Sequence, residues 1–297
     1  MRAALCWLML ICLGAPAVGA GAATLYVEPL PLAQAQPALA RARLDRKSGD
    51  VRAWFMGRET ALLPGDDGCY YGAVAPDLKA KPGRYPLRVK ADGKQVAAAE
   101  VEVVSKDYGE RRITVSKKFM KLTPAQLKRY FKETARIKAV CNSFTPRRLW
   151  TDGFIRPLDS VVVGPFGRRS IINGKERSPH GGVDLRGKKG DPVMAPADGR
   201  AALVLDTYFG GLTILIDHGQ GLITQYMHLS EALVKEGDKV RQGQIIGRVG
   251  SSGRVTGPHL HFGVRMGGAR VDPLAWVAAS RELSRRLQRA ARPGRGG

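Results

Sequence analysis

Histidine is scarce in this chain: 297 residues contain only five. Cysteine is scarcer at four, and two of these, Cys6 and Cys12, lie within the first 22 residues. The remaining pair, Cys69 and Cys141, lacks the spacing of a cysteine-ligated zinc or a redox dithiol. In an exported chain such a pair fits a disulfide, and it fits two separate buried thiols as well. Acidic residues are few beside basic ones, 26 against 48, which gives a formal charge of +22. That excess attracts polyanions. No apolar run beyond residue 22 is long enough to cross a bilayer. The glutamate of a His-Glu-x-x-His metal site is absent too, so a histidine would have to take its place.

Residues 1–22 supply the reason to expect export. Arg2 precedes an apolar run over 3–13, then small residues end in Val18-Gly19-Ala20 and Ala20-Gly21-Ala22. This is the pattern of a secretory signal peptide, which predicts a periplasmic or secreted protein, with an uncleaved membrane anchor as the alternative. Ile11 before Cys12 is too bulky for a lipoprotein processing site. Export makes a specific nucleic acid a poor partner for the basic chain, and favours an acidic wall polymer or an anionic membrane surface.

With 44% hydrophobic residues the chain can bury two modest cores. From 23 to 105, short alternating runs at 24–27, 51–56, 69–74, 85–89 and 96–104 read as strands separated by Gly/Pro/Asp turns. They predict an immunoglobulin-like β-sandwich. Residues 106–158 read as a basic linker. Within it Thr123-Pro124-Ala125-Gln126 starts an amphipathic helix, with Leu127, Tyr130, Phe131, Ile137, Val140 and Cys141 at helical spacing and its basic face in solvent. Strands return over 159–279, at 201–205, 212–216, 223–227, 244–249 and 260–264. Residues 280–297 read as a basic tail that starts as a possible helix; linker and tail are the candidate contacts to an anionic surface.

Four of the five histidines converge on one chemistry. His259 and His261 are two apart in a strand, so they share a face with about 7 Å between them. A catalytic zinc takes three N or O ligands and leaves one position for water. His180, Asp184 and His261 would supply two imidazoles and a carboxylate, with Gly181 and Gly182 letting the backbone bend beside the metal. Hydrolysis then needs a proton carrier and an oxyanion donor, for which His228 and His259 are available. His218, in Ile216-Asp217-His218-Gly219, is placed outside the site. Arg168, Arg169 and Asn173 precede the first candidate ligand and read either as contacts to substrate carboxylates or as plain surface.

Three motifs carry a resemblance: His180-Gly181-Gly182-Val183-Asp184, Tyr226-Met227-His228-Leu229-Ser230 and Thr256-Gly257-Pro258-His259-Leu260-His261-Phe262. Together, over roughly residues 159–275, they resemble the lysostaphin/LytM-type zinc metalloendopeptidases, which cut peptide bonds in peptidoglycan. The resemblance implies a mainly β protein with an antiparallel-β peptidase domain at 159–279 and one Zn2+ per chain. It implies that His180, Asp184 and His261 bind the zinc and that His228 and His259 assist catalysis. We assign the base to His259 and the oxyanion contact to His228. The sandwich and basic connector resemble exported Gram-negative members, whose substrate is the cross-link ending at diaminopimelate. One departure is Gly164, where a serine or threonine often precedes Pro165-Phe166-Gly167. The alternative function is that of LytM-like activators of wall amidases, relatives that have lost metal ligands; all are kept here. A second alternative is a polyanion-binding protein with a closed, structural zinc.

Overall fold

Alternating small and polar residues build the N-terminal part into two facing sheets. The computed structural model describes residues 23–114 and 122–288, so the expected signal at 1–22 and positions 289–297 of the expected tail lie outside the described residues. One sheet is ordered Ala23–Glu28, Ala38–Leu44, Cys69–Val74, Leu63–Pro64. The other runs Leu32–Ala33, Lys94–Val104, Gly83–Ala91, Val51–Phe55, Arg58–Ala61. Leu25, Val27, Ala40 and Ala42 of the first meet Phe55, Leu87, Val89 and Val101 of the second in one core.

The second part is organised by a ten-stranded sheet. Its main path runs Val162–Gly164, Val183–Arg186, His259–Met266, Leu222–Ala232, Gly211–Asp217, Gly199–Thr207, Lys239–Val240, and each pairing along it is antiparallel. Strand His259–Met266 lies inside this sheet, so Leu260, Phe262 and Val264 are fully buried while the alternate residues face the cleft side. The chain is therefore mainly β, as expected.

Helix α1, Pro124–Cys141, begins as the sequence predicts. Thr123 accepts from the Gln126 backbone, and the Gln126 side chain accepts from the Thr123 backbone, which closes a capping box. Its packing differs from the expected stripe. Ile137, Val140 and Cys141 pack on Leu203, Leu215 and Ile223, whereas Leu127 and Phe131 stay in solvent. Nor is its basic face simply solvated: Arg129 pairs with Glu133 and Asp206, and Arg136 with Glu236.

Helix α2, Pro273–Gln288, runs through the expected boundary at 279 without a break. Trp276, Ser280, Leu283 and Ser284 are buried. Burying each large apolar side chain stabilises by about 1.5–3 kcal/mol, so this stretch is tied to the body of the protein. Trp150 and Phe154 stack edge-on against Trp276, so the end of the expected linker belongs to the same core. Cys69, Tyr71 and Ala73 of the sandwich join that core as well. Cys69 and Cys141 are free thiols buried in different clusters, which settles the pair as two separate thiols. Between the two parts, Asp77 accepts from the Arg270 backbone at 2.9 Å and from its Nε at 3.1 Å. No helix of the described residues is long and apolar enough to cross a membrane.

Candidate metal centre

Strand register brings the first two candidate ligands together. Val183–Arg186 pairs with His259–Met266 so that Asp184 lies opposite His261, and its other neighbour places Gly164 opposite Asp184. Opposed residues of an antiparallel pair hold their Cβ atoms about 4.5–5.5 Å apart, close enough for short side chains to meet. His180 reaches in from the loop before Val183. Its Nε2 is 3.0 Å from Asp184 Oδ1 and 3.0 Å from His261 Nδ1, and that Nδ1 is 2.9 Å from the same Oδ1.

These three atoms form a nearly equilateral triangle. Ligands about 2.0–2.1 Å from a tetrahedral ion are separated by roughly 3.3 Å, so the donor set N, O, N fits a zinc-sized ion with little adjustment. Among the described residues this trio is the one His/Cys/Asp/Glu group close enough to hold a metal. His180 Nδ1 donates to the Pro165 carbonyl at 2.9 Å, which leaves the lone pair on Nε2, facing the cluster. Burial alone would raise the Asp184 carboxyl, but the hydrogen bond from His261 and the adjoining His180 ring outweigh it and hold the group well below the ordinary carboxylate range. Burial pushes His261 below the usual imidazole value, with Asp184 opposing. Both shifts favour the deprotonated forms that bind metals.

Two glycines make the geometry possible. A Cβ on Gly182 would stand 2.7 Å from His261 Nε2 and would collide with the Phe262 carbonyl, whereas Gly181 has no neighbour closer than 3.8 Å. The expected freedom beside the ligands is therefore needed at 182, for space. A Cβ on Gly164 would collide with the Asp184 carboxylate, so the departure at Gly164 gives this carboxylate its room.

His228 and His259 face the same cleft, with ring centroids 4.9 Å apart. His259 Nε2 is 3.8 Å from Asp184 Oδ1, and its Nδ1 donates to the Gly257 carbonyl at 2.9 Å. His228 adopts a left-handed backbone, φ 66°, at an irregularity in the pairing of Leu222–Ala232. Its amide donates to Gly210 O at 2.8 Å and its Nδ1 to Ser252 O at 3.0 Å. A side chain held in that region by two such bonds is a strained residue kept for its placement. Burial drives its pKa down to about 4.

His218 is elsewhere, fully buried: Nδ1 donates to Asp198 O at 2.7 Å, and Nε2 accepts from Thr224 Oγ1 at 2.8 Å, which is 2.7 Å from the Tyr226 hydroxyl. The five site histidine and aspartate positions border one cleft of about 560 Å³. Arg168 lines it too. Arg169 lines a neighbouring groove instead, and Asn173 sits in the turn after Arg169–Ile172 with φ 50°. The sequence left no sign of Arg111 and Ile113, which line the same cleft from strand Glu110–Ile113 in the expected linker.

Comparison with known proteins gives the family. Residues 178–273 match the sequence model of peptidase family M23. The crystal structure of an M23 peptidase from Pseudomonas aeruginosa is 31% identical, aligns over 84% of this chain and 96% of its own, and superposes with a TM-score of 0.68. The chain belongs to peptidase family M23. An uncharacterized metalloprotease of Haemophilus influenzae is 43% identical over 128 residues, 41% of this chain and 27% of that protein. Peptidoglycan DD-endopeptidase ShyA of Vibrio cholerae is 41% identical over 100 residues, 34% of this chain and 23% of that protein. This chain thus spans less than a third of the length of either curated relative. Membership in a metallopeptidase family implies a metal, and the His180, Asp184, His261 group can hold one.

Proposed function

We propose that this chain is an exported, zinc-dependent endopeptidase that hydrolyses the peptide cross-links of peptidoglycan, at D-Ala-diaminopimelate bonds. The observation that carries this reading is the meeting of His180 Nε2, Asp184 Oδ1 and His261 Nδ1 within 3.0 Å, with His228 and His259 open to the same cleft. The substrate class is supported by the relative ShyA, a peptidoglycan DD-endopeptidase. Zinc held by these three side chains would supply an acidified water and a polarised scissile carbonyl.

The chain's own residues handle the proton. His259 spends its Nδ1–H on Gly257 O, so its Nε2 is free to accept a proton from water and return it to the departing amine. His228 spends its Nδ1–H on Ser252 O, so while neutral it too presents an acceptor at Nε2. It therefore orients water or a substrate N–H first, and donates to the oxyanion only once it carries a second proton.

The test is incubation of the mature protein with cross-linked muropeptides. Dimers should become monomers, and a chelator should stop the conversion. His261→Ala should lose metal, while His259→Ala should keep one zinc and lose turnover by about 10²–10⁴-fold. Zinc-loaded protein that leaves every bond intact across several wall chemistries would sink the reading.

A further inference from the structure

Strand Glu110–Ile113 lies outside the family-matched residues 178–273, in the segment that joins the sandwich to the peptidase unit. It pairs in parallel with Arg169–Ile172, with Arg111 beside Ser170 and Ile113 beside Ile172. Backbone bonds from Arg169 N to Gly109 O, 3.0 Å, and from Asn173 N to Ile113 O, 3.1 Å, fix both ends. Strand alternation puts Arg111 and Ile113 on one face, and this face is a wall of the cleft that holds His180, Asp184, His228 and His259. Glu110 and Arg112 form an ion pair of their own.

The charge of the cleft is one-sided. Arg111, Arg168, Arg177 and Arg254 line it, and the single carboxylate among its lining residues is Asp184, already hydrogen-bonded to His261 and packed against His180. Arg111 Nε donates to Ser170 Oγ at 3.0 Å, which orients the guanidinium. Its two terminal nitrogens have no protein partner among the described residues. A planar fork anchored at Nε and open at its outer edge suits a carboxylate, which it can grip through two hydrogen bonds.

We propose that Arg111 is a specificity residue that binds a carboxylate of an acidic peptide substrate, so that the strand arriving from the sandwich completes the substrate groove. This rests on the peptidase reading of the cleft. Arg111 supplies uniform binding, so its loss raises KM and leaves kcat in place.

Two probes separate the possibilities: a cross-linked muropeptide dimer with free carboxylates, and the same dimer with these carboxylates amidated. Binding is measured by calorimetry in a His259→Ala background, with and without Arg111→Gln or Arg111→Lys. The free form should bind about tenfold tighter than the amidated form, as a hydrogen bond to a charged group commonly gives. Arg111→Gln should erase that preference and Arg111→Lys should keep part of it, with no change in Tm. In turnover, Arg111→Gln should raise KM about tenfold on the free form only. Equal binding of the two probes by the parent protein overturns the inference, as does an Arg111→Gln protein that keeps the preference or weakens both probes alike. A parent protein that shows the preference and its loss in Arg111→Gln, yet whose His259-intact form cuts neither probe, sinks the peptidase reading and leaves the inference standing.

Discussion

Adding one methyl group at residue 182 should cost the protein its metal. In Gly182→Ala the new Cβ would lie 2.7 Å from His261 Nε2, where ordinary van der Waals contact begins near 3.4 Å. The ring must therefore retreat by about 0.7 Å, because the other obstacle is the Phe262 backbone carbonyl inside a paired strand. Metal–ligand distances tolerate only about 0.2 Å, so a shift of this size takes His261 Nδ1 out of bonding range unless the whole strand pair moves. Overpacking of this kind costs about 1–3 kcal/mol, and losing the placement of one candidate ligand should lower metal affinity at least as far as the 10–100-fold seen when a group that orients a ligand is disturbed. The assay is competition with a zinc chelator of known affinity, beside urea unfolding of the metal-free protein. Gly181→Ala is the control, since a Cβ there meets nothing closer than 3.8 Å and should change affinity by less than twofold. Wild-type zinc affinity in Gly182→Ala, or equal losses in both variants, would refute the steric argument.

Acid should weaken the fold through His218 before it reaches the carboxylates. Burial lowers its folded pKa to about 4 from an ordinary 6.5, so the unfolded chain binds the extra proton first. Stability is complete above about pH 6.5 and falls by about 3 kcal/mol as pH drops to about 4; urea midpoints that stay flat across this window in wild type, or still fall equally in His218→Gln, would refute it. Asp77 titrates lower, at about 2, because hydrogen bonds from Arg270 and nearby amides outweigh burial, which alone would raise it. Its contribution, about 2 kcal/mol, is present above its unfolded value of 3.8 and is lost as pH falls through about 2. Asp77→Ala also strands the buried Arg270 guanidinium and should cost about 3–5 kcal/mol in denaturant unfolding, and a loss below about 1 kcal/mol would show that Asp77 does not anchor the two parts.

The fold was legible where apolar residues alternate with polar ones, and obscure where the interior is lined by alanine. Ala38–Leu44, sequence ALARARL, reads as helix-former composition, yet Ala38, Ala40 and Ala42 are fully buried at the centre of a sandwich sheet. Sheets that approach closely need small inward residues, and a period-2 pattern of alanine against arginine carries little hydrophobic signal. Strand Val183–Arg186 was hidden by its four-residue length, and Glu110–Ile113 by its exposed, charged composition. Pairing of the latter depends on a partner 59 residues away, a relation that no local pattern reports.

At the site the side chains were visible and their orientation was not. His180, His228 and His259 each give Nδ1–H to a backbone carbonyl, of Pro165, Ser252 and Gly257. Any residue offers a carbonyl, so the sequence holds no trace of which one sets a tautomer. The consequence is chemical: every one of these rings turns Nε2 toward the cleft as a lone pair, able to take a metal or a proton but not to donate while neutral. His261 is the exception, presenting Nδ1 to Asp184 instead. A division of labour between His228 and His259 thus cannot lie in which nitrogen faces the substrate. Burial, which pushes His228 down to about 4, keeps that ring neutral near pH 7, so its Nε2 acceptor suits it to orienting water or a substrate N–H, and it can donate to an oxyanion only after gaining a proton.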